Sequence, residues 1–389
     1  MKIPIIYNLR NLRVRWVSSL MAALGIGLVV MVFIVVLALA RGFQHALVKT
    51  GSPDYPFIMR KGSVTEITSY ITRDQEAIIR SLPGIASGPD GEPLLTSDLL
   101  VVISYPRGGQ GGSHNNVSVR GVSLRAFDVR KDIRIVEGRK FVPGLDEIVV
   151  GKSISERRPG LRLGDTVAFA RRNWKIVGLF EAGGSAFESE IWGDVEQFIP
   201  LFQREGFQSI TLHLDDPSGF DRFKAALESD PRLTADVQRE SEYYAGQSQE
   251  LVAIIRSLGI FLTVIMAIGA ISGALNTMYA AVGARTREVG TLLALGFRPR
   301  SIMTSFVVES SLLSLVGGAI GCLFSLPIHG QSTATTNWDT FSEMTFDFHI
   351  TPSILLAGLI FALVMGVVGG LWPARQAAKK EIASAIKAL

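Results

Sequence analysis

Four stretches of this chain are uncharged over lengths that fit a lipid bilayer. Residues 17–40, 257–283, 310–328 and 354–373 run for 24, 27, 19 and 20 residues without Asp, Glu, Lys or Arg, and most of their side chains are apolar. A hydrocarbon core about 30 Å thick takes about 20 helical residues. Each run therefore predicts a transmembrane helix, the third beginning earlier, near Met303. Residues 41–256, between the first two runs, are the long hydrophilic segment. They hold 27 Lys+Arg against 29 Asp+Glu and offer no basic excess for nucleic acid. The net charge of +4 therefore gathers at the membrane edges. The one cysteine, Cys322, lies within the third run. An intramolecular disulfide and a cysteine metal cluster are excluded, so the inserted domain must rest on its own hydrophobic core.

Basic residues flanking spans mark the cytoplasmic side. Lys2, Arg10, Arg13 and Arg15 precede the first span. Arg285, Arg287, Arg298 and Arg300 separate the second from the third, and Arg375, Lys379, Lys380 and Lys387 follow the fourth. Residues 329–351 contain no Lys or Arg. All four segments give one topology: both termini and the 284–301 loop are cytoplasmic, while 41–256 and 329–351 are outside. Ala38-Leu39-Ala40 resembles a signal-peptide cleavage site. Signal peptides have apolar regions of about 7–15 residues, so a run of 24 is expected to stay as an anchor. Before it, residues 8–13 alternate apolar and basic residues and suit a cytoplasmic surface stretch.

The inserted domain reads as mixed α/β. Thr72 and Gln75 form a capping-box signature that opens a short helix through Ser81, closed by Pro83-Gly84. Residues 99–104 are rich in β-branched side chains and 117–119 alternate, so both predict strands, while the glycine-rich 108–113 segment predicts an exposed loop. From about 133 to 205 short strands and turns follow, clearest at 147–151, 165–169 and 174–178, and predict a small all-β lobe. Residues 209–214, 220–228 and 234–238 then read as a β-α-β unit that pairs with 57–119. The β lobe is thus an insertion in an α/β lobe. No proline interrupts 242–283, and Gly246 is the one glycine before the second span. One helix is expected throughout. It pairs with residues 41–50 as a stalk that carries the domain.

No catalytic or cofactor chemistry is legible. The chain has no G-x-x-x-x-G-K-[ST] phosphate cradle, no H-E-x-x-H, and no G-x-S-x-G elbow. Its five histidines lack ligand spacing, so no metal is expected. Asn116-Val117-Ser118 matches a glycosylation sequon by chance.

The segment Arg285-Thr286-Arg287-Glu288-Val289-Gly290-Thr291-Leu292-Leu293-Ala294-Leu295-Gly296-Phe297 resembles the loop of the MacB/FtsX-like ABC transporter permeases. Gly317-Gly318-Ala319-Ile320-Gly321, Trp372-Pro373-Ala374-Arg375, Gly25-Ile26-Gly27 and, in the inserted domain, Leu163-Gly164-Asp165-Thr166-Val167 are similar as well. Leu293 stands where many members carry Arg. The resemblance implies a multi-pass inner-membrane permease without ATPase activity of its own. It would bind two copies of a separate ABC ATPase and pair with itself or with a related permease. Closure of the ATPase would move the helices and, through the stalk, the periplasmic domain, with room for a periplasmic adaptor. The work would be export, lipoprotein release, or FtsX-like control of a cell-wall enzyme. The chain then divides into 1–41 (terminus and first span), 42–250 (periplasmic core domain) and 251–389 (three spans with the 284–301 coupling loop).

Arg287, Glu288, Val289, Gly290, Leu292, Leu293, Leu295 and Gly296 are the expected ATPase-coupling residues. Their apolar members ask for a partner surface. Gly269-x-x-x-Gly273, Gly317-x-x-x-Gly321 and Gly366-x-x-x-Gly370 allow close helix approach, either between subunits or within one. Glu309 and Asn276 are intramembrane polar candidates. Cys322 is expected to be ordinary helix packing.

Overall fold

A computed structural model describes residues 16–106, 114–336 and 343–379. The expected 8–13 surface stretch and 108–113 loop lie outside these residues. The chain divides into two compact units, one of 1–41, 253–331 and 348–389, the other of 42–252 and 332–347.

Among the described residues four helices are long and apolar enough to cross a membrane. They are α1 (Trp16–Val48), α7 (Glu240–Ala284), α9 (Pro299–Ser325) and α10 (Pro352–Ala378), with the short α8 (Thr286–Ala294) between α7 and α9. Pro299 and Pro352 stand in the first turns of α9 and α10, where proline's missing N–H costs nothing. Unbroken by proline, α7 runs for 45 residues, about 68 Å at 1.5 Å per residue.

Within the span unit, glycine lets backbones touch. A Cβ on Gly317 would stand 2.6 Å from the Ala23 carbonyl oxygen, and one on Gly321 2.5 Å from that of Gly27. A Cβ on Gly370 would meet the Ser310 side chain at 2.6 Å, and one on Gly366 would collide with Ser314. The Ser310 hydroxyl donates to the Gly366 carbonyl. Ile26, Val30, Ile34, Ala274, Ala362 and Met365 form one apolar cluster beside these contacts.

The other unit is built on one ten-stranded sheet. Its strands are β1 (Pro56–Arg60), β2 (Leu95–Pro106), β3 (His114–Val122), β4 (Arg134–Gly138), β5 (Glu147–Gly151), β6 (Thr166–Phe169), β7 (Arg172–Glu181), β8 (Glu190–Asp194), β9 (Ser209–Leu212) and β10 (Ala235–Arg239). Their order is β10-β1-β9-β2-β3-β8-β5-β7-β4, with β6 also on β7. As expected, β9 and β10 pair with the 57–119 segment, both flanking β1 antiparallel. Thr72 and Gln75 form the expected capping box of α2 (Arg73–Arg80).

Two apolar cores lie along this sheet. The first joins Ile58, Ile71, Ile79, Leu95, Ile210 and Leu227, under α2 and α6 (Phe220–Ser229). The second joins Val119, Ile148, Trp174, Ile176, Ile191 and Phe198. It also takes in Leu99, Val101 and Val117, which lie before the 133–205 lobe. Strand β2 explains why. Residues 95–98 pair with β9, and from Leu99 onward the strand pairs with β3, so one strand serves both cores. Short helices α3 (Ala126–Val129), α4 (Lys152–Arg157) and α5 (Val195–Leu201) accompany the second set of strands. Residues between the third and fourth spans add a hairpin of their own, β11 (Ser332–Thr336) with β12 (Glu343–Asp347).

Candidate functional site

The α8 segment is a short helix with a defined end. Phe297 N–H donates to the Leu292 carbonyl at 3.1 Å and Gly296 N–H to that of Leu293 at 3.0 Å. Gly296 has φ +87°. These are the two bonds of a Schellman cap with glycine at its left-handed position, the reason the sequence turns at Leu295-Gly296 before Pro299.

The apolar side chains of α8 are less available than their sequence suggests. Val289 is buried in a cluster with Met278, Val282, Ile302, Phe306 and Ala374, and Leu292 and Leu293 pack half-buried against it. Gly290 is buried too. These four residues pack the helix against its own chain, and Leu292 and Leu293 keep part of their surface in water. Arg287, Glu288, Thr291, Leu295 and Gly296 are exposed. Leu295, 69% exposed, is the large apolar side chain left outward. Spacings of four residues place Arg287, Thr291 and Leu295 on one face.

Glu309 has a partner that its sequence position conceals. The Arg285 guanidinium donates to its carboxylate at 2.8 Å, both side chains at most one-tenth exposed, and lies 5.9 Å from the centre of the Phe306 ring. An isolated charge there would be costly; the pair and its hydrogen bond offset the desolvation. In the sequence, Arg285 reads only as a flanking charge.

The small-residue motifs separate. Gly317, Gly321, Gly366 and Gly370 are consumed by packing inside the chain. Around Gly269 and Gly273 a Cβ would meet nothing within 4 Å. Asn276 is exposed on the same stripe of α7, as are Leu258, Leu262 and Ile265.

A third constellation was not legible at all. In the sheet domain Arg120 donates to Glu66 at 2.5 Å and to Glu190 at 2.8 Å. Arg130 lies 2.8 Å from Asp98 and 3.2 Å from Glu240. All six side chains are at least nine-tenths buried. Burial alone would lower the Arg120 pKa, but the carboxylates of Glu190 and Glu66 outweigh it and hold the group well above its usual value. Asp98 and Glu240 do the same for Arg130. With four carboxyls facing two guanidiniums, burial raises the Glu240 pKa against the pull of Arg130. No group of three or more His, Cys, Asp or Glu suited to a metal occurs among the described residues.

Residues 19–230 match the model of the MacB-like periplasmic core domain, and residues 260–382 that of the FtsX-like permease C-terminal domain. The chain belongs to the MacB/FtsX-like ABC transporter permease family. It is a membrane protein of that family, with an extracytoplasmic domain between its first helix and the other three. It is 28% identical over 281 residues to the macrolide export ATP-binding/permease protein MacB of Pasteurella multocida, a match covering 68% of this chain and 42% of that one. With the ABC transporter permease YknZ of Bacillus subtilis it shares 26% identity over 236 residues, 58% of this chain and 57% of YknZ. The chain thus spans about half the length of the curated relatives it matches. The crystal structure of the YknZ extracellular domain covers 48% of this chain and all of its own, at 13% identity and a TM-score of 0.38. The periplasmic region of MacB from Actinobacillus actinomycetemcomitans covers 52% and 95%, at 13% and 0.38.

Proposed function

We propose that the chain is the permease subunit of an ABC-type mechanotransmission transporter of the cytoplasmic membrane. A separate ATPase, two copies per permease pair, docks on the cytoplasmic 284–301 loop, and its closure moves the domain outside for export or extraction of a substrate. The observation that carries this is the division of labour on α8. Val289, Gly290, Leu292 and Leu293 hold the helix to the spans, while Arg287, Glu288, Thr291 and Leu295 stay outward on a capped, well-defined surface. A helix rigidly seated on span residues such as Met278, Ile302 and Ala374 moves those spans when it is pushed. These 389 residues contain no phosphate cradle of the kind hydrolysis requires, which supports an engine carried outside them.

A second chain completes the transporter. The stripe of Gly269, Gly273 and Asn276 on α7 faces away from its own chain. A polar amide on such a face is satisfied by a like amide across a two-fold axis, and the glycines let the backbones approach.

The docking face is tested by pull-down of the co-expressed ATPase. Thr291→Glu with Leu295→Glu should leave the protein inserted and folded but remove the ATPase. A carboxylate on a surface that becomes buried costs a few kcal/mol. Val289→Glu should instead lower the yield of folded protein. Undiminished ATPase binding by the folded double variant would show that α8 is only a connector.

A further inference from the structure

The chain passes between its two units at 41/42, 252/253, 331/332 and 347/348. On the sheet-domain side these crossings are the tail of α1, the first turns of α7, and the two ends of the β11–β12 hairpin. They are far apart in sequence, yet one loop of the domain, residues 182–189, bonds or packs against the tail of α1, the first turns of α7 and strand β12 of the hairpin. At the tail of α1, the Thr50 hydroxyl accepts from Ala186 N–H at 2.8 Å, and Lys49 donates to the Gly183 carbonyl at 3.3 Å. The Tyr244 ring, in the first turns of α7, stands edge-on to Phe187 at 5.8 Å. In the hairpin, Thr345 N–H donates to the Ser189 hydroxyl at 3.0 Å.

We infer, on the mechanical reading above, that the 182–189 loop is the joint of the extracytoplasmic domain, which fastens all of its connections to the spans so that they move as one. The loop is built to hold shape. The Glu188 carboxylate accepts from Ala182 N–H at 2.8 Å, Gly184 N–H at 2.7 Å and the Ser153 hydroxyl at 2.7 Å, closing the turn on itself. Phe187 is its buried centre. The Arg120 and Arg130 guanidiniums lie 5.3 and 5.1 Å from the centre of its ring, and Trp192 stands edge-on at 5.5 Å. A cation over an aromatic face is attracted by the ring quadrupole, and more strongly when both are desolvated. The two arginines reach outward from there. Through Glu190 they hold β8, and through Glu240 the first residue of α7. The connections also touch one another. Ser52 N–H donates to the Glu240 carboxylate at 3.4 Å, and Phe43 meets Phe346 edge-on at 5.5 Å. A displacement of any one connection is thus resisted through Phe187 by the others.

Hydrogen exchange on the full chain in lipid nanodiscs, without nucleotide or ATPase, tests the joint separately from ATPase coupling. Phe187→Leu keeps an apolar side chain and removes the ring. Exchange should rise about tenfold in 44–52, in 240–247 and in 343–347 together, with β7 and β8 protected as in the wild type. A rise confined to 182–189, or to one of the three segments, would overturn the joint. If Phe187→Leu exposes β7 and β8 as well, Ser189→Ala decides. That variant removes one acceptor from the hairpin alone. Faster exchange in 44–52 and 240–247 as well as in the hairpin is the expected result, and a response of the hairpin only would overturn it.

Discussion

At Glu240 burial decides a titration. Its carboxyl is buried, shares Arg130 with Asp98, and has its pKa raised above the ordinary 4.5, mainly by burial. A raised carboxyl contributes stability as the neutral acid. That contribution is complete below pH 4.5 and is lost as pH climbs through the higher folded value. A tenfold difference in proton affinity between the folded and unfolded chain is worth about 1.4 kcal/mol. Glu240→Gln cannot ionise, so its melting temperature should fall less than that of the wild type between pH 4.5 and about pH 7. Equal falls for the two proteins would remove Glu240 from the pH dependence. Gly296 shows the opposite kind of residue, whose role is fixed by partners a few positions away. Its left-handed φ and open surroundings make it a helix cap, so Gly296→Asp strains the backbone at the end of α8.

At the scale of elements, glycine motifs that look alike in sequence have different owners. A side chain on Gly321 would enter the backbone of α1 at Gly27, whereas one on Gly269 or Gly273 would enter open space. Gly321→Val should therefore lower the yield of folded monomer. Gly269→Leu with Gly273→Leu should leave the monomer folded and shift the detergent-solubilised protein from dimer to monomer. A dimer that survives the double substitution would place the subunit contact elsewhere. The length of α7 invites a second test. Ala253 is exposed on it and lies between Glu240 and the apolar run that starts at Ser257. Proline there removes a helix hydrogen bond, clashes with the preceding turn and costs about 3 kcal/mol or more. In the ATPase complex Ala253→Pro should keep ATPase binding, since α8 is seated by other residues. It should lose the change in proteolytic sensitivity that trapped nucleotide produces in the extracytoplasmic domain. A wild-type response from a well-expressed Ala253→Pro variant would argue against α7 as the transmitting rod.

For the whole molecule, topology follows from charge. Reporter fusions after Gln110 and at the C-terminus should report opposite compartments, the first outside and the second cytoplasmic, because every flank obeys the positive-inside bias. Fusions that report one compartment would break the four-span topology.

What the sequence determined by itself was local or periodic. The four spans are visible because a bilayer demands a minimum apolar length wherever a helix crosses it. The capping box at Thr72 and Gln75 is visible because its partners lie within a few residues. The β-α-β unit of 209–238 was legible in sequence, as was its pairing with the 57–119 segment. Tertiary structure decided the rest, for the reason that the partners are distant in sequence and common in type. Arg120 reaches Glu66 and Glu190 across 54 and 70 positions, and Arg285 reaches Glu309 across 24. Among 39 basic and 35 acidic residues nothing local marks which will be buried together. Likewise the apolar face of α8 was visible, but whether its leucines face a partner or their own spans depends on where α9 and α10 pack. Only the folded chain leaves Leu295 outside and takes Val289 in.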